Sequence, residues 1–142
     1  MTALTPAAAI LLVGGLANLA FSTLAGFVLY WVRLRDVHVP PPHYALITHT
    51  SATTNGLVLI ALSVAIVHSG FTEPIANGLA DAEVIATVLS DARNVLAWRG
   101  RLDDGIADVP ERARRLRGLG NVIHFVVISA LLYGVTRTAL GV

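Results

Sequence analysis

A histidine lies inside a long apolar stretch, in the segment HTSATTNG at residues 49–56. An ionisable side chain at bilayer depth costs on the order of a few kcal/mol unless it faces protein, water or a cofactor, which makes His49 a functional candidate. Thr53 follows at i+4 and Gly56 at i+7, so the three residues share nearly one helical face. Such a strip admits either a neighbouring helix or a flat macrocycle whose metal binds the imidazole. The spacing alone favours helix packing.

The other histidines have simpler interpretations. His38 and His43 lie in a proline-rich loop and His68 at the end of the second apolar segment, where an interfacial position explains them. His124 lies about one turn into the last apolar segment, where we expect a hydrogen bond to a neighbouring helix. It is also the rival of His49 as a metal ligand, or a second axial ligand, and two axial histidines favour electron transfer.

A polar stripe marks the third apolar segment. Asp91, Asn94 and Trp98 fall on one helical face by their i+3 and i+4 spacing, and Ser90 borders that face. Arg93 points elsewhere, where it can snorkel to the interface or meet an anionic group such as a propionate.

The stripe and the second segment together predict a pocket. Asn55 is rotated about 120° from His49 on a helical wheel, so a planar cofactor on His49 can bring a substrate to this amide at its margin. The alternative is that these polar groups join helices, with hydrogen bonds worth about 0.6 kcal/mol each in membranes.

Composition indicates the elements that position these residues. The chain has 142 residues, of which 55% are hydrophobic and 13% charged, and a mean hydropathy of +0.70, values typical of an integral membrane protein. There is no cysteine, which excludes disulfides and thiolate chemistry, and all ten basic residues are arginine, which excludes a Schiff base. A net charge of +1 argues against nucleic acid as a partner.

The sequence therefore predicts an all-α membrane protein, a single domain with four transmembrane helices. A span needs roughly 20 apolar residues, and four segments approach this length. The predicted helices are residues 7–32, 44–67, 75–98 and 119–135.

Arginine placement predicts the orientation. Loop 33–43 holds two arginines and loop 99–118 holds six, against Arg137 alone on the opposite side. By the positive-inside rule both loops are cytoplasmic and both termini lie outside. We expect the basic loop 99–118 to touch anionic lipid headgroups.

Residues 38–71 resemble the corresponding region of the bacterial styrene oxide isomerases, small four-helix membrane proteins. In that family a His-Val-Pro tripeptide is followed by a histidine, six positions later by Asn-Gly, and then by an apolar run that closes on Gly-Phe. The matching elements here are His38-Val39-Pro40, His49, Asn55-Gly56 and Gly70-Phe71. Further matches are Asn94-Val95 and Tyr133-Gly134-Val135.

The resemblance implies a homotrimer in the bacterial inner membrane with haem b at the subunit interfaces. The ferric iron of such a protein is a Lewis acid that converts a small apolar, styrene oxide-like epoxide to an aldehyde, with His49 as the axial ligand. We expect catalytic roles for Asn55, Asp91 and Asn94, substrate contacts from Ser90, Trp98 and Tyr133, and cofactor contacts from His49, Gly56 and Arg93.

Helix three departs from the family. The family's pocket tyrosine falls on Trp98, whose indole donates a hydrogen bond but cannot shuttle a proton. The family's aspartate falls on Ser90, one residue before Asp91. Two alternatives stay open: a haem-dependent oxidoreductase acting on nitrogen or oxygen of a small apolar substrate, and a non-enzymatic haem-binding bundle.

Overall fold

A computed structural model describes residues 4–35, 40–99 and 111–142. These residues form four α-helices and a short 3-10 segment, Ile66–His68, with no strand among them. The helices are α1 (Pro6–Arg35), α2 (His43–Ala65), α3 (Glu73–Arg99) and α4 (Glu111–Leu140). The prediction of an all-α, four-helix chain is confirmed.

Three helical stretches are long and apolar enough to cross a membrane: Pro6–Arg35, His43–His68 and Arg114–Leu140. Among the described residues α3 does not meet this criterion, because charged side chains interrupt its apolar run. A membrane protein is therefore supported by three helices, one fewer than the number of spans that the sequence predicts.

The first two helices pack backbone against backbone. A Cβ placed on Gly15 would lie 2.8 Å from the carbonyl oxygen of Gly56, and a Cβ on Gly56 would lie 2.9 Å from that of Gly15. A side chain at either position would therefore force α1 and α2 apart. Gly56 thus serves the contact between helices, which is the packing interpretation of its small neighbours.

Helix α3 turns its polar residues towards the other helices. Glu83 is fully buried, and Asp91 and Arg93 are 6% and 4% exposed, whereas Ile85 on the opposite face is 54% exposed. Charged groups on a helix packed among apolar helices face their protein neighbours in this way, because an apolar environment cannot solvate them. The arrangement puts the polar stripe of α3 beside α2 and α4.

Helix α4 begins at Glu111, ahead of the predicted start at residue 119. Its first turns lie within the arginine-rich stretch, where Arg115 pairs with Glu111 at 2.5 Å across i,i+4. Such pairs support a helix that hydropathy does not reveal. Of the predicted loop 99–118, residues 100–110 lie outside the described residues, as does His38.

Candidate functional site

The imidazole of His49 is anchored on α1. Its Nδ1 lies 2.8 Å from the carbonyl oxygen of Ser22. Because a carbonyl oxygen only accepts, Nδ1 carries the proton and donates it, which leaves the lone pair of the neutral ring on Nε2. Hydroxyl groups reinforce this arrangement, since the Ser22 hydroxyl donates to the His49 carbonyl at 2.9 Å and lies 2.6 Å from the hydroxyl of Thr53.

The position of the His49 ring depends on a glycine. A Cβ on Gly26 would lie 3.0 Å from Cε1 and 3.1 Å from Nδ1 of His49. The ring therefore lies directly on the α1 backbone, and within the described ranges nothing hydrogen-bonds to its Nε2. Metal-ligating histidines have this arrangement, with one nitrogen anchored to the protein and the other open.

A polar pocket of about 480 Å³ lies between α2, α3 and α4. Helix α2 contributes Tyr44, Thr50, Ser51 and Asn55, α3 contributes Ser90, Arg93 and Asn94, and α4 contributes Arg117 and Asn121. The pocket brings together four residues that the sequence assigned to one site: Asn55, Ser90, Arg93 and Asn94.

Asp91 ties α3 to α2 beside this pocket. Its Oδ1 accepts hydrogen bonds from the Ser51 hydroxyl at 3.3 Å and from Nδ2 of Asn55 at 3.2 Å. Asp91 does not itself line the polar pocket and borders a separate cavity next to α1. Its geometry is that of a residue that fixes the orientation of the Asn55 amide.

Arg93 is buried in the pocket instead of reaching the interface. Its Nη1 donates to Oδ1 of Asn94 at 2.8 Å, and its Nη2 donates to the hydroxyl of Tyr44 at 3.4 Å. The guanidinium carbon also lies 5.0 Å from the centre of the Tyr44 ring. Arg93 thus belongs to the polar stripe from which the helical wheel had separated it.

Besides Asp91 and Gly56, three more of the predicted site residues lie outside the pocket. Trp98 packs beside the pocket against Tyr44, whereas Tyr133 is 63% exposed on α4 and lines a different groove. His49 faces α1 and is not among the residues that line the polar pocket. Within one chain, the candidate iron ligand and the candidate substrate pocket therefore lie on different sides of α2.

His124 has a partner on a neighbouring helix, as expected from the sequence. Its Nδ1 is hydrogen-bonded to Oε1 of Glu83 on α3. Glu83 is fully buried, and its Oε2 has no hydrogen-bond partner within the described part of the chain. The pair joins α3 to α4 and is separate from the contact of His49 with α1.

Sequence reasoning overlooked the residues that hold this site. Ser22 and Gly26 carry no ionisable group, but their i,i+4 spacing on apolar α1 is the kind of small polar strip that receives a side chain from another helix. Tyr44 marked only the start of the predicted second helix, although its ring packs on Arg93.

Over residues 4–35, 40–99 and 111–142, no group of three or more His, Cys, Asp or Glu side chains could hold a metal ion. A haem iron differs, because the porphyrin supplies four ligands and the protein one or two. No family model, curated protein or solved structure matches the chain.

Proposed function

We propose that this protein binds haem b through His49 and isomerises a small apolar epoxide, of the styrene oxide type, to an aldehyde. The observation that carries the proposal is the anchored imidazole, with Nδ1 donating to the Ser22 carbonyl and the ring lying over Gly26. The bound ferric haem would supply a Lewis acid that draws charge from the epoxide oxygen and weakens a carbon-oxygen bond. A hydride shift to the cationic carbon then gives the aldehyde with no net oxidation.

The anchor of His49 fits this chemistry. A backbone carbonyl fixes the tautomer and the ring orientation, and as a neutral acceptor it donates less charge through the imidazole than a carboxylate would. An iron held by His49 would stay electron-poor, as a Lewis acid requires. His49 thus supplies the ligand, and Gly26, which has no side chain, leaves room for the imidazole ring.

The pocket residues would position the substrate. Asp91 and Ser51 hold the Asn55 amide at the pocket wall, since its Nδ2 donates to Asp91 at 3.2 Å and to the Ser51 hydroxyl at 3.4 Å, and this fixed amide would meet the epoxide there. Asn94 lies across the pocket from Asn55, and Trp98 borders it with an apolar ring. The mechanism needs no proton shuttle, because the hydride moves within the substrate, and a tryptophan at position 98 is compatible with it.

A homotrimer is part of the proposal, and the separation of His49 from the pocket supports a cyclic assembly. When two different faces of a subunit have to meet, the contact between copies is heterologous, and such a contact forms a ring when its rotation closes. In a ring, His49 of one copy can approach the polar pocket of the next copy across a shared haem. The same arrangement explains how Asn55 can contribute to the site while it lies away from His49 in its own chain.

The decisive experiment is spectroscopic and kinetic. The full chain is purified in detergent, its Soret absorbance is measured per polypeptide, and conversion of styrene oxide is followed without an electron donor. We expect a Soret band and donor-independent formation of the aldehyde. Turnover that requires a donor would favour the oxidoreductase, haem without turnover would favour a non-enzymatic haem protein, and the absence of haem would refute the proposal.

A matched pair of variants separates the pocket from the iron. Asn94→Leu should lower turnover and leave the haem content unchanged, because Asn94 lines the pocket and does not face His49. Asn77→Leu is the control, since it makes the same substitution on the same helix outside the polar pocket. Equal loss of haem and turnover in Asn94→Leu would show that Asn94 has a structural role.

We also propose a location in the bacterial inner membrane, with α3 as the fourth span. Loops 33–43 and 99–118 would face the cytoplasm and anionic lipid, and both termini the outside, from the arginine distribution. Reporter fusions at residue 105 and at the carboxyl terminus test this topology. A cytoplasmic carboxyl terminus would contradict it.

A further inference from the structure

Arg93 is a buried cation without an acidic partner in the part of the chain that the structure describes. Its side chain is 4% exposed, and the ion pairs between described residues are Arg115 with Glu111 and His124 with Glu83. Asp91 is close in sequence, but its Oδ1 is engaged by Ser51 and Asn55.

The neighbours of Arg93 satisfy its guanidinium only in part. Asn94 accepts one hydrogen bond and Tyr44 offers a distant hydroxyl and a ring face, all of them uncharged. The Nε is buried and has no hydrogen-bond partner among the described residues. Burying an unpaired charge is costly, and dipoles offset only part of that cost. The guanidinium therefore lacks the anion that a buried arginine ordinarily has.

The polar pocket next to Arg93 can hold that anion. Its volume of about 480 Å³ is within the range of small-molecule sites. The residues that line it include a second arginine, Arg117 on α4, and the donors Asn121 and Ser90, but no aspartate or glutamate. A space lined by hydrogen-bond donors and free of acidic side chains suits an anionic group.

We propose that this pocket binds a small organic acid through its carboxylate, which pairs with the guanidinium of Arg93. A carboxylate is favoured because its two oxygens match the planar fork of arginine and its single charge matches the one buried guanidinium. Arg117 is exposed and attracts the anion from the outer side of the pocket. The apolar side chain of Ile47 and the ring of Tyr44 accommodate the body of the ligand.

The carboxylate can belong to a free acid or to a propionate of a bound porphyrin. The inference does not rest on the proposed isomerase, because it follows from Arg93 and the pocket without any role for His49. Failure of the epoxide assay and failure of anion binding are therefore separate results.

The experiment measures binding of benzoate and of its neutral analogue benzamide to the purified full chain by calorimetry. We expect benzamide to bind at least about tenfold more weakly than benzoate, as for loss of a charge-assisted hydrogen bond. Arg93→Gln should abolish the preference for benzoate, Arg93→Lys should keep part of it, and Arg137→Gln, remote from the pocket, should keep all of it.

A titration with haem separates the two sources of the carboxylate. Benzoate binding that persists after haem is added indicates a free acid. Benzoate binding that haem abolishes, together with weaker haem binding in Arg93→Gln, indicates a propionate. Equal affinity for benzoate and benzamide, or no benzoate binding together with unchanged haem affinity in Arg93→Gln, would overturn the proposal. The benzoate and benzamide comparison uses the unaltered protein, so it stands even if Arg93→Gln does not fold.

Discussion

His49 and His124 are alike in local geometry and different in what depends on them. Each lies partly exposed on an apolar helix with Nδ1 hydrogen-bonded to a neighbouring helix. The partner of His49 is the carbonyl of Ser22, which α1 can satisfy without the imidazole, since backbone carbonyls within a helix also accept from the i+4 N–H. The partner of His124 is the buried carboxylate of Glu83, which has no such substitute. We therefore expect the hydrogen bond of His49 to matter less for stability than that of His124, which joins α3 to α4.

The largest expected effect is loss of haem in His49→Ala. We expect the Soret absorbance per polypeptide to fall by more than about tenfold. Loss of a residue that only supports a metal ligand already weakens metal binding by about tenfold or more, and loss of the axial ligand itself should weaken it further. His124→Ala should retain haem, as should the substitutions to alanine at His38, His43 and His68. The reverse result, haem kept in His49→Ala and lost in His124→Ala, would break the comparison and the isomerase proposal with it.

The next effect is on stability. His124→Leu should lower the free energy of unfolding by about 1–3 kcal/mol, because it leaves the buried carboxyl group of Glu83 without its hydrogen-bond partner. Adding Glu83→Leu should recover most of this loss, since the pair is then replaced by apolar side chains. Denaturation of the haem-free chain in detergent measures both variants, with His49→Leu as the matched control that should change little, because no bound ligand is then lost with the imidazole. A double variant no more stable than His124→Leu would show that the pair is not the source of the loss.

The smallest effect sharpens the assignment of the His49 ring. Gly26→Ala places a Cβ about 3.0 Å from Cε1 of His49, closer than ordinary contact, so the ring has to shift. We expect modestly weaker haem binding in a titration. Gly78→Ala is the control, because a Cβ there meets nothing within 4 Å and should stabilise the helix by about 0.5–1 kcal/mol. Identical haem affinity in the two variants would show that the ring of His49 does not lie against Gly26.

The helices differ in how well the sequence predicts them, because apolar length marks some of them and not others. Apolar length alone identifies α1 and α2, since a span requires about 20 residues. The start of α4 at Glu111 was missed because its first turns are arginine-rich, and such turns are stabilised by pairs like Glu111 with Arg115 that hydropathy does not detect. For α3, an apolar segment was predicted, although its charged residues keep it below the hydropathy of a span.

The same reasoning applies to the candidate site. The i+3 and i+4 spacing correctly grouped Asp91 and Asn94 on the side of α3 that meets α2. A helical wheel gives angles between residues of one helix, but it does not say which neighbour packs on each side. For that reason the contact of His49 with α1, and the burial of Arg93 in the pocket, emerged only from the packed helices.

The inward-facing charges of α3 have a consequence for biosynthesis. A segment that carries Glu83, Asp91 and Arg93 gains little by leaving the translocon for lipid on its own, because lipid offers no partner for these groups. The α1 and α2 hairpin, closed through Gly15 and Gly56, has to be in place to receive Asp91, and α4 has to emerge before Glu83 meets His124. If α3 crosses the bilayer, as we propose, its release from the translocon would be coupled to synthesis of the carboxyl-terminal helix, and a chain truncated before α4 would leave the carboxylate of Glu83 facing acyl chains.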